Sequence, residues 1–280
     1  MCVTDDATDG LANPDRSMRV SVVIPAYNEA GNIGALVRET LDIIPPSLLG
    51  EIIVVDDCSA DATAAEVAEV GDPRVRCLRH QRRAGQSAAL RSGVRAAVFP
   101  VIVTMDGDGQ NPPADIAALA ARLGAEGQEP ALVGGVRQKR RASGSRRWAS
   151  RFANGLRARL LADDCPDTGC GLKAFRRAAF LDLPYFSTMH RYLPALFLSY
   201  GHQPAYLPVG DRPRRVGQSK YTNLGRALVG LYDLFGVVWL RRRTLLPPVV
   251  EDRSASTVAP MPLTASAPMN DAPIRRAMAR

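Results

Sequence analysis

The chain has little with which to staple, export or anchor itself. Its five cysteines, Cys2, Cys58, Cys77, Cys165 and Cys170, are an odd number in no metal-ligand spacing, which argues against a metal cluster and predicts reduced thiols. The opening MCVTDDATDG has neither a basic region nor an apolar segment, so no signal peptide is expected and the protein reads as cytosolic. No run is long enough to cross a bilayer. The longest late one, ALVGLYDLFGVVWL at 227–240, is fenced by Arg226 and Arg241 and interrupted by Asp233. As a helix it rises about 21 Å, against a hydrocarbon core of roughly 30 Å.

Phosphate motifs are missing as well. There is no G-x-G-x-x-G after the first strand-like segment and no G-x-x-x-x-G-K-[ST] anywhere, which leaves the dinucleotide and P-loop readings without support. DGDGQNPPADIA fails as a calcium loop, because Asn111 stands in place of the required Gly and Ala117 in place of the bidentate Glu. Acids are absent from Arg137 to Ala162, where nine basic residues lie: Arg137, Lys139, Arg140, Arg141, Arg146, Arg147, Arg151, Arg157 and Arg159. Further basic groups are Arg212, Arg214, Arg215 and Lys220, then Arg241 to Arg243. The net charge of +8 calls for an anionic partner. The basic run has little aromatic interleaving beyond Trp148 and Phe152 and no reader motif, so nucleic acid is not expected.

What is present reads as one substantial α/β domain: 280 residues, 46% hydrophobic, 23% charged. RVSVVIP, EIIVVDD, VRCLRH and VIVTMDG are strand-like, and helical spacing begins near Glu29, Asp61, Ala84 and Pro112. This alternation predicts a mostly parallel sheet with helices on both faces. Residues 1–17 are polar and Asp-rich, and 247–280 are dominated by Pro, Ala, Ser and Thr, so both ends read as disordered. No internal repeat is found.

Chemistry gathers where strands end. In VIVTMDGDGQNPP an apolar run stops at Met105 and places Asp106 and Asp108 two apart, with Gln110 behind. Residues i and i+2 of an extended segment point to one side, so the acids converge, at an electrostatic cost unless a cation sits between them. Gly107 and Gly109 leave room for a ligand, and Pro112 and Pro113 open the next helix. The first strand ends in PAYNEAGN and the second in Asp56 and Asp57. Ligands of such sheets bind beyond the carboxyl ends of the strands. Asp61 fits as a helix cap. For Asp57 a cap and a binding role both stand. The arrangement suits Mg²⁺ or Mn²⁺ held by two carboxylates and the Gln110 amide oxygen, with a diphosphate completing the shell.

Six blocks in order, SVVIPAYNEAGNI, IIVVDDCSADAT, GQSAALRSG, MDGDGQNPP, DTGCGLKAF and RRVGQSKY, resemble the family 2 glycosyltransferases with a nucleotide-sugar-binding GT-A fold. Within that family they resemble the dolichol-phosphate mannosyltransferase and bacterial polyprenyl-phosphate glycosyltransferase branch. The likeness covers roughly 18–243, which implies a catalytic domain at 18–226 followed by an amphipathic membrane- or partner-docking helix at 227–246. It implies that Pro25, Tyr27, Glu29 and Asp56 line the nucleotide pocket, with Asp57 and Gln86 nearby. Asp106, Asp108 and Gln110 would hold the metal on the donor diphosphate. Arg214 and Lys220 would close over it from a loop bent at Gly217, with a solvated basic turn as the lesser alternative. Arg137, Arg146 and Ser150 match positions that hold the acceptor phosphate. Asp167 matches an acidic residue near the acceptor, or caps the next turn, and Lys173 stands where many members have Arg. His190 and Arg191 also recur, although a lone His beside an apolar helix is more often satisfied within the core. For Lys139, Arg140, Arg141, Arg157 and Arg159 a surface role is expected.

The implied reaction moves a sugar from a GDP- or UDP-linked donor to a polyprenyl phosphate, undecaprenyl or dolichyl, by inversion at the anomeric carbon. A phosphate nucleophile is already an anion and needs no strong base. A soluble or protein hydroxyl acceptor is the alternative, and would make Asp167 indispensable. Many bacterial members carry transmembrane helices after the catalytic domain. Without them, this chain is expected to be peripheral on the cytoplasmic face of the inner membrane, with a small integral membrane protein as a possible escort. The 227–240 segment could equally pack on the enzyme's own core.

Overall fold

In a computed structural model the chain is described over residues 19–124, 130–138, 157, 159–214 and 223–244. The terminal segments expected to be disordered lie outside these residues. The strands are β1 (Val20–Ala26), β2 (Leu49–Asp56), β3 (Val75–Arg79), β4 (Val101–Thr104), β5 (Leu132–Arg137), β6 (Lys173–Arg176) and β7 (Pro204–Val209). The helices are α1 (Ile33–Ile43), α2 (Thr63–Ala68), α3 (Gln86–Ala96), α4 (Ile116–Leu123), α5 (Arg177–Leu181), α6 (Leu193–Ser199) and α7 (Asn223–Arg243). The four strands and four helices read from the first 124 residues are all there. Pro113 opens a short 3-10 turn, Pro113–Asp115, ahead of α4.

The seven strands form one sheet in the order β3-β2-β1-β4-β6-β5-β7. All pairs are parallel except the two made by β6, which runs against both β4 and β5. Alternation along the strands divides the core. Val22, Ile24, Ile52, Val54 and Val103 face a layer holding α1 and α4. Val23, Ile53, Val55 and Ile102 face the layer of α3, α5, α6 and the buried side of α7. Both faces being covered is why these strands read as continuous apolar runs. The α3 layer lies close: a Cβ on Gly93 would stand 2.4 Å from Val23 Cγ1.

From β1 the chain runs outward through β2 and β3, then returns by α3 to β4 on the other side of β1. The reversal leaves a crevice at the carboxyl ends of β1 and β4, where such sheets bind ligands. Antiparallel β6 then fills the other side of β4, pairing Lys173 with Thr104. Residues far apart in sequence thus meet at one rim.

Candidate active site

The crevice is a cleft of about 630 Å³ lined by residues from every one of those strand ends. Its first wall is the turn after β1, held by the loop and helix that follow β2. Asn28 N–H donates to Ser59 Oγ (2.9 Å), Glu29 N–H to Thr63 Oγ1 (2.9 Å) and Ala30 N–H to Asp61 Oδ2 (3.1 Å). Asp61 also accepts from Thr63 N–H at 3.0 Å, but the N-cap position of α2 is Ala62, so Asp61 braces the start of the helix from one residue outside it and clamps the turn as well. Held this way, Pro25, Tyr27 and Glu29 all line the cleft. The Arg83 guanidinium stacks over the Tyr27 ring at 4.1 Å.

Asp56 and Asp57 have separate tasks. Asp56 is fully buried; its Oδ1 accepts from Ser59 N–H (2.8 Å), while Oδ2 makes no hydrogen bond and has Arg79 Nε at 3.3 Å. Asp57 does not cap the helix that follows it in sequence; it braces the loop that leads into α3. Its two oxygens accept from Ala84 N–H (2.8 Å) and Gly85 N–H (2.7 Å), just ahead of α3, and from His80 Nδ1 (2.8 Å). His80 Nε2 lies 2.9 Å from Ser92 Oγ on α3. Burial works against the Asp57 charge, yet the His80 hydrogen bond and the two backbone donors hold its carboxyl below the usual range.

At the cleft floor are Asp106 and Asp108. They converge, but not by strand alternation: β4 ends at Thr104 and both lie in the turn beyond it, where Gly109 takes φ +74°. Burial and the neighbouring Asp108 charge push the Asp106 carboxyl up to about 6, against the pull of Lys173, Arg137 and the Gln86 hydrogen bond. Gln86 Nε2 donates to Asp106 Oδ1 at 3.0 Å. Gly171 backs the same carboxylate so closely that a Cβ there would lie 2.2 Å from Oδ2. Asp108 Oδ1 accepts from Gln110 N–H (3.1 Å), and its Oδ2 accepts from Arg214 Nη2 (2.9 Å), which also reaches Glu29 at 3.6 Å. Gln110 Nε2 donates to the Arg212 carbonyl at 3.3 Å and Arg212 N–H to the Gln110 carbonyl at 3.0 Å, so with the Arg214–Asp108 contact the 211–214 segment is tied to the acidic turn by three hydrogen bonds.

The far wall is cationic. Arg137, at the end of β5, forks onto Asp167: Nε to Oδ2 at 2.8 Å and Nη2 to Oδ1 at 2.9 Å. Burial opposes ionisation of Asp167, but that fork holds it below the usual carboxylate range. The two residues expected to approach the acceptor separately are thus one ion pair. Lys173 Nζ donates to the Cys170 carbonyl and is itself buried. His190 Nδ1 lies 2.7 Å from Ser87 Oγ, and His190 and Arg191 both face the cleft.

Of the residues expected at the site, Pro25, Tyr27, Glu29, Asp57, Gln86, Asp106, Asp108, Gln110, Arg137, Lys173 and Arg214 line this one cleft, with Asp167 directly behind Arg137 and Asp56 at the end of β2. Arg146, Ser150, Lys220, Gly217, Lys139, Arg140 and Arg141 lie outside the described residues. Arg159 is exposed as expected, but Arg157 is not a surface cation: it forks onto fully buried Asp163, with Nη1 3.1 Å from Oδ1. Arg83, His80 and Gly171 were not singled out. A glycine facing an acid across the sheet has no local sequence signal; Arg83, in RRAGQ, had only a charge beside a turn to mark it.

The donor set fits a hard divalent cation. Two carboxylates share one turn, one of them destabilised by the other's charge, and a guanidinium already leans on Asp108. No group of three His, Cys, Asp or Glu among the described residues is placed to hold a metal by itself, so further ligands would come from the substrate.

A family model described as glycosyl transferase family 2 matches residues 21–183, more than half of the chain. The chain belongs to glycosyl transferase family 2. Five of the six motif blocks fall within the matched span, RRVGQSKY at 214–221 lying beyond it, and family 2 membership agrees with the sheet just described. Among curated relatives, the undecaprenyl-phosphate 4-deoxy-4-formamido-L-arabinose transferase of Edwardsiella ictaluri is 34% identical over 221 residues, covering 77% of this chain and 66% of that one. Its counterpart from Sodalis glossinidius is 32% identical over 228 residues, covering 80% and 69%. The chain therefore spans about two thirds of the length of these relatives. Among solved structures, glucosyl-3-phosphoglycerate synthase from Mycobacterium tuberculosis, crystallised with Mn²⁺, uridine diphosphate and phosphoglyceric acid, superposes with a TM-score of 0.63 at 21% identity, covering 82% and 80%. The same enzyme has also been solved with Mg²⁺ and uridine diphosphate. These likenesses confirm the expected fold. No helix among the described residues is long and apolar enough to cross a membrane.

Proposed function

We propose that the protein transfers a sugar from a nucleoside-diphosphate donor to a polyprenyl phosphate at the cytoplasmic face of the inner membrane. The observation that carries this is the Arg137–Asp167 fork. A hydroxyl acceptor needs a base to take its proton. The acid nearest the cationic wall is Asp167, held ionised by a guanidinium that occupies both its oxygens, which makes it a weak proton acceptor. An acceptor that arrives as an anion needs cations instead, and Arg137, Lys173 and Arg191 line the cleft wall. Guanidinium groups suit phosphate by pairing charge with two aimed hydrogen bonds. The names of the curated relatives, which act on undecaprenyl phosphate, support the same acceptor class.

On the donor side, the Tyr27 ring under Arg83 offers a flat face for a nucleoside, while Asp56 is fully buried at the end of β2 with Arg79 against its second oxygen. Asp106 and Asp108 would hold Mg²⁺ or Mn²⁺, which supplies charge neutralisation on the leaving diphosphate. Arg214, on Asp108 here, is placed to meet that diphosphate. A phosphate oxygen of the acceptor forms its bond to the anomeric carbon from the opposite face as the bond to the donor diphosphate breaks, and the electron pair leaves with the nucleoside diphosphate. No proton moves and no covalent enzyme intermediate forms.

The test is incubation with Mn²⁺ or Mg²⁺, undecaprenyl phosphate and a panel of labelled UDP- and GDP-sugars. Label should enter the organic phase with one donor and stop when a chelator is added. Label appearing only on soluble hydroxyl compounds would overturn the reading.

A further inference from the structure

The last helix presents apolar side chains in two opposite directions. Towards the protein, Leu234 and Val237 are 6% and 2% exposed, in the cluster that holds Met189, Tyr192 and Leu196. Towards solvent, Tyr232, Phe235 and Trp239 are 82%, 60% and 62% exposed. At the helical advance per residue these three fall with exposed Arg242 and Arg243 inside an arc of about 100°. Three aromatics therefore run in a line into two arginines at the helix's end. Large exposed aromatics so arranged mark a contact surface.

The chemistry of the stripe selects the partner. Tyr and Trp, each an apolar body with a polar tip, are the side chains that settle at a membrane–water boundary. Arginines beside them gain from anionic headgroups, and the chain as a whole carries +8. A second copy of the helix offers nothing to those arginines. The only acid in the sequence of α7 is Asp233, which lies off the stripe.

We propose that this stripe lies in the headgroup layer of an anionic bilayer and seats the cleft beside it. The link to the cleft is direct. Tyr192 Oη donates to the Gly230 carbonyl at 3.0 Å, and Arg241 Nε donates to Ser199 Oγ at 3.0 Å. Tyr192 follows His190 and Arg191, which face the cleft. Binding through α7 thus brings the cationic wall to a lipid phosphate through a helix that does not itself cross the membrane. The purpose of this surface rests on the lipid-acceptor reading; its existence does not.

The experiment floats the full chain with vesicles of phosphatidylglycerol and phosphatidylcholine, or phosphatidylcholine alone, at low and high salt. Binding should require the anionic lipid and weaken with salt. Arg242→Ala with Arg243→Ala should weaken partitioning about thirtyfold. Tyr232→Ser with Trp239→Ser should weaken it at least tenfold. Neither pair should change turnover of a short, water-soluble polyprenyl phosphate, while both should lower turnover of a long-chain acceptor held in vesicles. Wild-type protein that ignores anionic vesicles at low salt, or variants that bind like wild type, would overturn the proposal. So would loss of a dimer as the sole effect of the aromatic variants. Vesicle binding with no turnover of either acceptor would sink the acceptor reading and leave the surface standing.

Discussion

Replacing Gly171 by alanine tests the site without touching a charge. An ideal Cβ at this position falls 2.2 Å from Asp106 Oδ2, 2.3 Å from Cγ and 2.5 Å from Oδ1. To regain ordinary contact the carboxylate must retreat by about 1.2 Å, and a displacement of roughly 1 Å costs on the order of a hundredfold in rate. Gln86 Nε2 donates to the same carboxylate at Oδ1, so the movement disturbs that hydrogen bond as well. We expect kcat to fall about a hundredfold and Mn²⁺ affinity to fall with it, with the melting temperature nearly unchanged because the clash is with the end of one side chain. Gly169→Ala is the control: the atoms its Cβ would meet are Arg137 Nη2 at 3.1 Å and Asp167 Oδ1 at 3.6 Å, and a loss below about tenfold is expected. Turnover of Gly171→Ala within threefold of wild type, measured at saturating donor and metal, would refute the claim that the position of Asp106 governs the reaction.

Four further outcomes are expected. In metal-free protein the Asp106 carboxyl should titrate near 6 by carbon NMR and drop when Mg²⁺ is added; because its folded value lies above the unfolded 3.8, this group's contribution to stability is full below about 4 and is lost as pH rises through 6. Asp167→Asn should slow turnover ten- to a hundredfold by loosening Arg137 while leaving the shape of the pH profile unchanged; disappearance of an acid limb would instead identify a general base. Arg157→Met leaves the buried Asp163 charge unpaired and should cost about 3–5 kcal/mol in urea unfolding, most of it recovered by adding Asp163→Leu. Gly93→Ala forces a methyl against Val23 and should cost about 1–3 kcal/mol in the same assay, with kcat unaltered in the surviving folded protein.

Much of the first half of the fold was legible because its signals are local. Val and Ile runs gave the buried strands, and the acids closing them gave the rim. The reasons behind two of those acids were not legible. Asp106 and Asp108 meet through a turn rather than through strand alternation, since β4 stops at Thr104, one residue before the apolar run does. Asp57 serves the approach to α3, a contact across 27 residues, where sequence offered only the neighbouring helix. The second half was read through motifs alone, because its decisive feature is the reversed strand β6. That reversal puts Lys173 opposite Thr104 and Gly171 against Asp106, which neither segment announces by itself. Arg157 shows the converse error: in a run free of acids it reads as a solvated cation, yet its partner Asp163 lies just past the end of that run.

The ion pairs of the cleft also explain how so basic a chain keeps its site from collapsing onto itself. Arg214 rests on Asp108 and Arg137 on Asp167. Each pair satisfies a cation in the state without substrates while holding it beside the place where a phosphate would arrive. On the proposed function a phosphate would compete for the exposed edge of Arg137, whose side chain is 34% exposed, without displacing the better-covered Asp167. Arg214 must instead release Asp108 if that carboxylate is to take a metal. Donor binding is therefore expected to reorganise the 211–214 segment, whereas acceptor binding is expected to leave the Arg137–Asp167 fork in place. Lowered protection from hydrogen exchange at 211–214 on adding Mn²⁺ alone, restored by nucleotide, would show the first; an unchanged Asp167 carboxyl resonance on adding acceptor would show the second.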